Sequence, residues 1–154
     1  MIFAGYDLSR KHLRGVPMAL ILLLEDEFDQ AVLFQEYLSR EGHETRICTG
    51  AREAMQYLAA TPHDLVITDI FVRDRGAVVP DGGLRLIGSI RRAWKPEGCA
   101  TPANVPILAV SGAFDGPSKE YFLEQAQAIG ADLALPKPVE PEALHEALEK
   151  LLSA

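Results

Sequence analysis

The 154-residue sequence has only two cysteines and four histidines, and it has no apolar run long enough to cross a lipid bilayer. Cys48 and Cys99 lack a Cys-x-x-Cys spacing and the histidines are scattered, so the sequence predicts neither a zinc site nor a disulfide framework. The longest apolar run, Ala19–Leu24, ends at three acidic residues, whereas a membrane helix needs about 20 apolar residues. We therefore predict a cytoplasmic protein with reduced thiols and no membrane contact.

Positive charge is also scarce, because 15 Lys and Arg residues stand against 22 Asp and Glu residues and the formal net charge is −7. A surface of this sign does not attract nucleic-acid phosphates, so we expect no direct nucleic-acid binding. Neither a Gly-x-Gly-x-x-Gly motif after the first apolar run nor a Gly-Lys-Ser/Thr loop is present, which argues against nucleotide binding. Residues 1–17 lack the apolar core of a signal peptide. We interpret them as an N-terminal extension of unknown status, followed by one domain over residues 18–154.

Short apolar runs alternate with longer segments of helical period from Met18 onward. This alternation is typical of repeated βα units around a parallel sheet, and five such units can be counted. The sequence thus predicts an α/β fold with a doubly wound, five-stranded parallel sheet. The predicted strands are Ala19–Leu24, His43–Cys48, Leu65–Thr68, Val105–Val110 and Leu133–Leu135.

The intervening segments carry the signals of five helices and two long loops. The helices are predicted from Phe28 to Arg40, from after Gly50 to near Ala60, around Leu84–Ile90, from after Pro117-Ser118 to Gly130, and from Pro141 to the end. Residues 71–83 and 95–104 are rich in Gly, Pro and charge and flank the third helix. We expect them to be irregular, mobile loops.

Polar residues stand where four of the predicted strands end, which is the edge where an open parallel sheet forms its ligand site. Glu25 and Asp26 follow the first strand, Asp69 the third, Ser111 the fourth and Lys137 the fifth. Three converging carboxylates repel one another, and a hard divalent cation with oxygen ligands, such as Mg²⁺, relieves that repulsion. With the pocket neutralised, the Asp69 carboxylate can attack a phosphoryl group and form an acyl phosphate.

Each of these residues also has a structural interpretation. The acidic pair suits the N-terminus of the first helix, Asp69 suits a turn, Ser111 suits a helix cap and Lys137 suits a solvated surface. The conjunction of all four features, at the right strand ends and in the right order, favours a phosphoryl site.

Three segments, residues 67–70, 110–113 and 136–138, have the sequences Ile-Thr-Asp-Ile, Val-Ser-Gly-Ala and Pro-Lys-Pro. With the acidic pair after the first strand, they make the chain resemble a response-regulator receiver domain from Ala19 to about Leu152. The resemblance implies a flavodoxin-like (βα)5 fold and a stand-alone signalling switch. Its phosphodonor would be a histidine kinase or a histidine phosphotransfer protein. Its output would reach an unnamed protein target, with a homodimer as one option.

The resemblance also implies a role for each site residue. The implied Mg²⁺ ligands are Asp26, Asp69, the main-chain carbonyl of Phe71, and Glu25 acting through water. Asp69 would accept the phosphoryl group, Ser111 would hydrogen-bond the phosphoryl oxygens, and Lys137 would pair with Asp69 at rest. The peptide bond between Lys137 and Pro138 would be cis.

Two features depart from the receiver pattern. Ala134 stands where receivers usually have an aromatic residue that swings inward, and alanine has no rotamer to switch. The Asp81-Gly82 pair comes twelve residues after Asp69 rather than about seven, and the added residues 73–75 are either an arm over the site or a solvated loop. A degenerate receiver that binds partners without phosphorylation is therefore one alternative. An aspartyl-nucleophile phosphohydrolase is another, but it needs a second Asp where this chain has Phe71.

The lifetime of the phosphorylated state depends on two further positions. Phe71 and Ala113 lie two residues beyond the phosphoacceptor and the hydroxyl, beside the expected path of an attacking water. Neither side chain can orient water by a hydrogen bond, so we predict slow self-dephosphorylation. The decay is measured on radiolabelled or acetyl-phosphate-treated protein after the donor is removed. Loss of the phosphoryl group within seconds would contradict the prediction.

Overall fold

The computed structural model describes residues 18–70, 72–74, 77–79, 82–92, 98–111 and 117–153, with the backbone alone for 72–74, 77–79, 117–119 and 122. Strands and helices alternate along this part of the chain. The strands are β1 (Leu20–Leu24), β2 (Glu44–Cys48), β3 (Leu65–Asp69), β4 (Val72–Asp74), β5 (Ala77–Val79), β6 (Ile107–Ser111) and β7 (Leu133–Pro136). The helices are α1 (Phe28–Arg40), α2 (Ala51–Ala60), α3 (Gly83–Arg91), α4 (Pro117–Ile129) and α5 (Pro141–Leu152).

Five parallel strands form the main sheet, in the order β2-β1-β3-β6-β7. All residues of β3 and β6 are buried, because helices cover both faces of the sheet. One face packs against α1 and α5, and the other packs against α2, α3 and α4. The predicted α/β class and the doubly wound, five-stranded parallel sheet are confirmed.

The strand boundaries differ from the predicted ones by one or two residues. Asp69 and Ser111 are the last residues of β3 and β6 rather than the first residues after them. The ladder extends past these positions, because the Ile70 amide donates to the Val110 carbonyl at 3.0 Å and the Lys137 amide donates to the Ser111 carbonyl at 2.7 Å. Both candidate site residues are thus held by sheet hydrogen bonds.

Proline explains two other differences. The fourth strand of the sheet was predicted from Val105, but β6 begins at Ile107, because Pro106 has no N–H to donate to a ladder and the Val105 amide turns back to the Pro102 carbonyl. Helix α4 includes Pro117 rather than starting after it, because the fixed φ of proline suits the first helical position.

The first two strands begin one residue later than predicted, at Leu20 and Glu44.

The segment predicted as the irregular loop 71–83 contains an antiparallel hairpin of β4 and β5, with Val72 opposite Val79. The prediction of an irregular loop was wrong for these strands, where β-branched valines favour extended structure. The base of the segment is closed, because the Gly83 amide donates to the Ile70 carbonyl at 3.0 Å. The residue before the insertion, Ile70, and the residue after it, Gly83, are therefore in direct contact.

The second predicted mobile loop, residues 95–104, is fastened over its described part, residues 98–104. The amides of Ala100 and Thr101 donate to the last turn of α2 at 3.0 Å each, and the Thr101 hydroxyl donates to the Thr61 carbonyl at 2.9 Å. Thr101 is buried as a result. This part of the loop is therefore irregular, as predicted, but hydrogen-bonded to the carbonyls at the end of α2.

Arg91, in the last turn of α3, joins four segments of the chain. Its guanidinium donates to the carbonyls of Ala103 and Val105 at 2.6 and 2.7 Å. It also donates to the Gly130 carbonyl at 2.9 Å and pairs with Asp132 at 2.8 Å. Gly130 has φ +138°, and a Cβ there would lie 2.5 Å from Cγ of Arg91. The end of α4 and the start of β7 are thus held to α3 through one side chain.

We predict that Arg91→Lys lowers the free energy of unfolding by about 2 kcal/mol, because an ammonium cannot reproduce the forked contacts of a guanidinium. The exposed neighbour provides the control, and Arg92→Lys should change stability by less than about 0.5 kcal/mol. Urea unfolding followed by circular dichroism measures both variants. Equal midpoints for the two would show that the clamp contributes little.

Candidate functional site

The acidic residues predicted to converge do so at the carboxyl edge of the sheet. Glu25 and Asp26 leave β1 at its end, and Asp69 ends the adjacent strand β3, which pairs with β1 in parallel register. One carboxylate oxygen from each of the three residues lies within 4.8 Å of the others. Residues separated by more than 40 positions therefore meet because neighbouring parallel strands end at the same edge.

Glu25 is fully buried, which is unusual for a carboxylate. Its Oε1 accepts a hydrogen bond from the Glu27 amide at 3.1 Å, and its Oε2 accepts one from Nζ of Lys137 at 2.7 Å. Burial raises the pKa of Glu25, while the hydrogen bond and charge of Lys137 oppose that rise. The carboxylate is thus held in place by two donors at a cost in desolvation.

Lys137 follows β7 and reaches across the site to two carboxylates. Its Nζ lies 2.7 Å from Glu25 and 3.2 Å from Oδ2 of Asp69. Burial lowers the pKa of Lys137, but the charges of Asp69 and Glu25 outweigh that effect and raise it above its ordinary value. The pairing with Asp69 was expected, whereas the shorter contact with Glu25 was not. The peptide bond between Lys137 and Pro138 is cis, as expected.

Ser111 lies at the end of β6, next to β3, and is completely buried. Its Oγ has no hydrogen-bond partner among the described residues. Buried hydroxyls nearly always have a partner, so this one is a donor available to a group that enters the edge of the sheet. The residues that a cap at Ser111 would bond, 113 and 114, lie outside the described part of the chain, so the helix-cap interpretation stays untested.

The remaining predicted positions are only partly described. Phe71, whose carbonyl was expected to bind the metal, and Ala113 lie outside the described residues. Residues 73 and 74 of the insertion are described as backbone alone, and residue 75 is not described. Ala134 is partly buried and packs against the hydrophobic core on the side of α2, α3 and α4.

The residues present fit a hard divalent cation. The three clustered side chains offer carboxylate oxygens alone, which are the ligands that Mg²⁺ prefers. The three carboxylates repel one another at this edge, and a divalent cation would relieve that repulsion. The donor chemistry and the charge both favour such a cation.

The sheet order and the acidic edge define an α/β protein of the flavodoxin-like, doubly wound class. The family model described as the response regulator receiver domain matches residues 21–149. The chain belongs to the response-regulator receiver family, as predicted. In the described part of the chain no helix has the length and hydrophobicity needed to cross a membrane.

Individual relatives agree with this assignment. The DNA-binding transcriptional regulator NtrC from Rhizobium meliloti is 29% identical over 134 residues, which cover 77% of this chain and 25% of NtrC. A putative response regulator from Chloroflexus aurantiacus has a TM-score of 0.71 and 22% identity, covering 88% of this chain and 98% of that one. NtrX from Brucella abortus also has a TM-score of 0.71, with 27% identity over 88% of this chain and 27% of NtrX. The chain thus spans about a quarter of the length of NtrC and NtrX.

One contact at the site had no counterpart in the sequence prediction. The Asp81-Gly82 pair was compared with the receiver motif before the third helix, but Gly83 is the residue that touches the end of β3. Since the sequence has two consecutive glycines there, spacing alone did not show which of them lies against the strand.

We predict that Lys137→Met makes the stability of the fold depend strongly on Mg²⁺. Without the ammonium, two buried carboxylates lose their cation, and breaking a buried ion pair costs about 3–5 kcal/mol. A divalent cation at the acidic cluster would restore part of that loss. Unfolding by urea, with EDTA or with Mg²⁺, measures the effect. Lys150→Met, at an exposed position of α5, is the control and should respond to Mg²⁺ as the native chain does. A Mg²⁺ response equal to that control would contradict the prediction.

Proposed function

We propose that this chain is a phosphorylation-dependent switch in two-component signalling and that it accepts a phosphoryl group on Asp69 in the presence of Mg²⁺. The observation that carries the proposal is the placement of the Asp69 carboxylate. It lies at the open edge of the sheet with two other carboxylates within 4.8 Å and Nζ of Lys137 at 3.2 Å. Membership of the receiver family supports signalling by phosphorylation in general.

The proposed metal ligands follow from the contacts each carboxylate already makes. Asp26, Asp69 and the main-chain carbonyl of Phe71 would hold Mg²⁺ directly, and Glu25 would act through water. Both oxygens of Glu25 already accept hydrogen bonds from the protein, which favours the indirect role. When bound, the cation would neutralise the carboxylates and polarise the phosphoryl oxygens.

The proposed transfer uses three side chains of the chain itself. An oxygen of the Asp69 carboxylate attacks phosphorus in line, and the bond from phosphorus to the donor histidine nitrogen breaks with its electron pair leaving on that nitrogen. The Ser111 hydroxyl, which has no partner among the described residues, would donate to a phosphoryl oxygen. Lys137 would move its hydrogen bond from the carboxylate of Asp69 to the new phosphoryl group.

The partners proposed here are those of a receiver. The donor would be a histidine kinase or a histidine phosphotransfer protein, and the output would be a protein target or self-association, with no direct nucleic-acid or membrane contact. We propose a cytoplasmic location, in keeping with Cys48 and Cys99 being thiols rather than a disulfide. Residues 18–154 would form the receiver and residues 1–17 an extension outside it.

A second candidate is a degenerate receiver that binds partners without being phosphorylated. Ala134 favours it, because a side chain without rotamers cannot follow a movement of Ser111 in the way an aromatic residue would. The complete acidic set and the Lys137 bridge favour the phosphorylated switch, since a pure binding module has no need of three clustered carboxylates.

Incubation with acetyl phosphate, followed by intact-mass spectrometry, separates the two candidates. We expect the native chain to gain one phosphoryl group with Mg²⁺ and none with EDTA, and Asp69→Asn to gain none. The matched control is Asp64→Asn, at the opposite end of the same strand, where the side chain accepts a hydrogen bond from the Leu20 amide that an amide oxygen can still accept. This control should react as the native chain does. An unmodified native chain would leave the degenerate receiver as the better reading.

A further inference from the structure

The first turn of α3 lies directly against the end of β3. The Gly83 amide donates to the Ile70 carbonyl at 3.0 Å. A Cβ built on Gly83 would lie 1.9 Å from the carbonyl oxygen of Asp69 and 2.8 Å from its carbonyl carbon. No side chain fits at such distances, so the main chain beside Asp69 and the start of α3 can meet only because residue 83 is glycine.

Thr68 holds the same carbonyl group by its side chain. Thr68 is fully buried, and its hydroxyl donates to the Asp69 carbonyl at 2.9 Å. The Thr68 hydroxyl oxygen would also lie 2.8 Å from a Cβ at Gly83. The Asp69 carbonyl is thus fixed by a hydroxyl and by the Cα of a glycine.

We propose that Gly83 and Thr68 are positioning residues for the phosphoacceptor, an inference that rests on the proposed role of Asp69. The peptide between residues 69 and 70 joins the Cα that carries the Asp69 carboxylate to the segment leading to Phe71. A change in the backbone torsions at Asp69 would change the direction of its carboxylate relative to the acidic cluster. The contacts made by Gly83 and Thr68, with the hydrogen bond from the Ile70 amide to the Val110 carbonyl, restrain this part of the backbone.

The same contact makes the geometry of the site independent of the length of the insertion. Ile70 precedes the insertion and Gly83 follows it, and the hydrogen bond between these two residues joins its ends. A longer insertion between Ile70 and Gly83 therefore leaves the backbone at Asp69 unchanged, provided that Gly83 keeps its contact with the end of β3.

Helix α3 provides a matched pair of glycines for the test. Gly83→Ala places a methyl group against the Asp69 carbonyl, whereas a Cβ at Gly88 would meet its nearest atoms at 3.9 Å, which is ordinary contact. We expect Gly83→Ala to weaken Mg²⁺ binding and to slow phosphorylation by acetyl phosphate by about 10- to 100-fold each. Gly88→Ala should match the native chain in both and unfold at an equal or higher urea concentration.

Two variants of Thr68 test the positioning role independently, and they decide it if Gly83→Ala does not fold. Thr68→Val removes the hydroxyl and keeps the shape, while Thr68→Ser keeps the hydroxyl. We expect Thr68→Val to lose Mg²⁺ affinity and phosphorylation rate in the folded protein, and Thr68→Ser to recover most of both. A purely structural role would lower the unfolding midpoint of Thr68→Val without changing either property of the folded protein.

Isothermal titration with Mg²⁺ and the rate of phosphoryl uptake by mass spectrometry are measured on every variant. If the native chain reacts and folded Thr68→Val binds and reacts equally well, the positioning inference is overturned while the proposed function stands. If the native chain binds Mg²⁺ but does not accept a phosphoryl group, the proposed function fails, and the Mg²⁺ affinities alone decide the positioning inference. A native chain that does neither overturns both.

Discussion

The repulsion among three carboxylates at one edge of the sheet is the constraint on which the site depends. Glu25 is fully buried and Asp69 nearly so, and a nearby cation offsets the cost of burying charged carboxylates at such close range. Lys137 supplies that charge at 2.7 and 3.2 Å, which fixes where β7 must end relative to β1 and β3. Burying carboxylates so close together costs stability at this edge, and the cluster has the donor chemistry of a divalent-cation site.

Two hydrophobic cores and a network of hydrogen bonds offset the loss of stability at the acidic edge. Both faces of β3 and β6 are covered by helices, so the site residues stand on strands that cannot shift without disturbing two cores. At the opposite edge, Arg91 ties α3 to the end of α4 and the start of β7 through hydrogen bonds to carbonyls and an ion pair with Asp132. These packed elements therefore hold the acidic cluster in place.

The sheet and the identity of the acidic cluster could be predicted, because apolar periodicity and the residues at strand ends are local signals. Local signals could not show that Lys137 lies closer to Glu25 than to Asp69, since that depends on how far each strand extends beyond its neighbour. They also missed the β4 and β5 hairpin, whose residues are too few to show an alternating pattern. The choice between Gly82 and Gly83 as the contact with β3 is likewise a matter of three-dimensional packing rather than of sequence spacing.

Position 134, where receivers usually have an aromatic residue, is an alanine in this chain. Ala134 lies against the core with a single methyl group, so no side-chain rotation there can report on Ser111. The main chain at Asp69, in contrast, touches Gly83 at the start of α3, and α3 ends in the Arg91 clamp that holds α4. The backbone at Asp69 therefore bears on a whole helix rather than on one rotamer. Because close-packed helices shift as units, the packing of α3 against β3 and of Arg91 against the end of α4 joins the two edges of the sheet without an aromatic side chain at position 134.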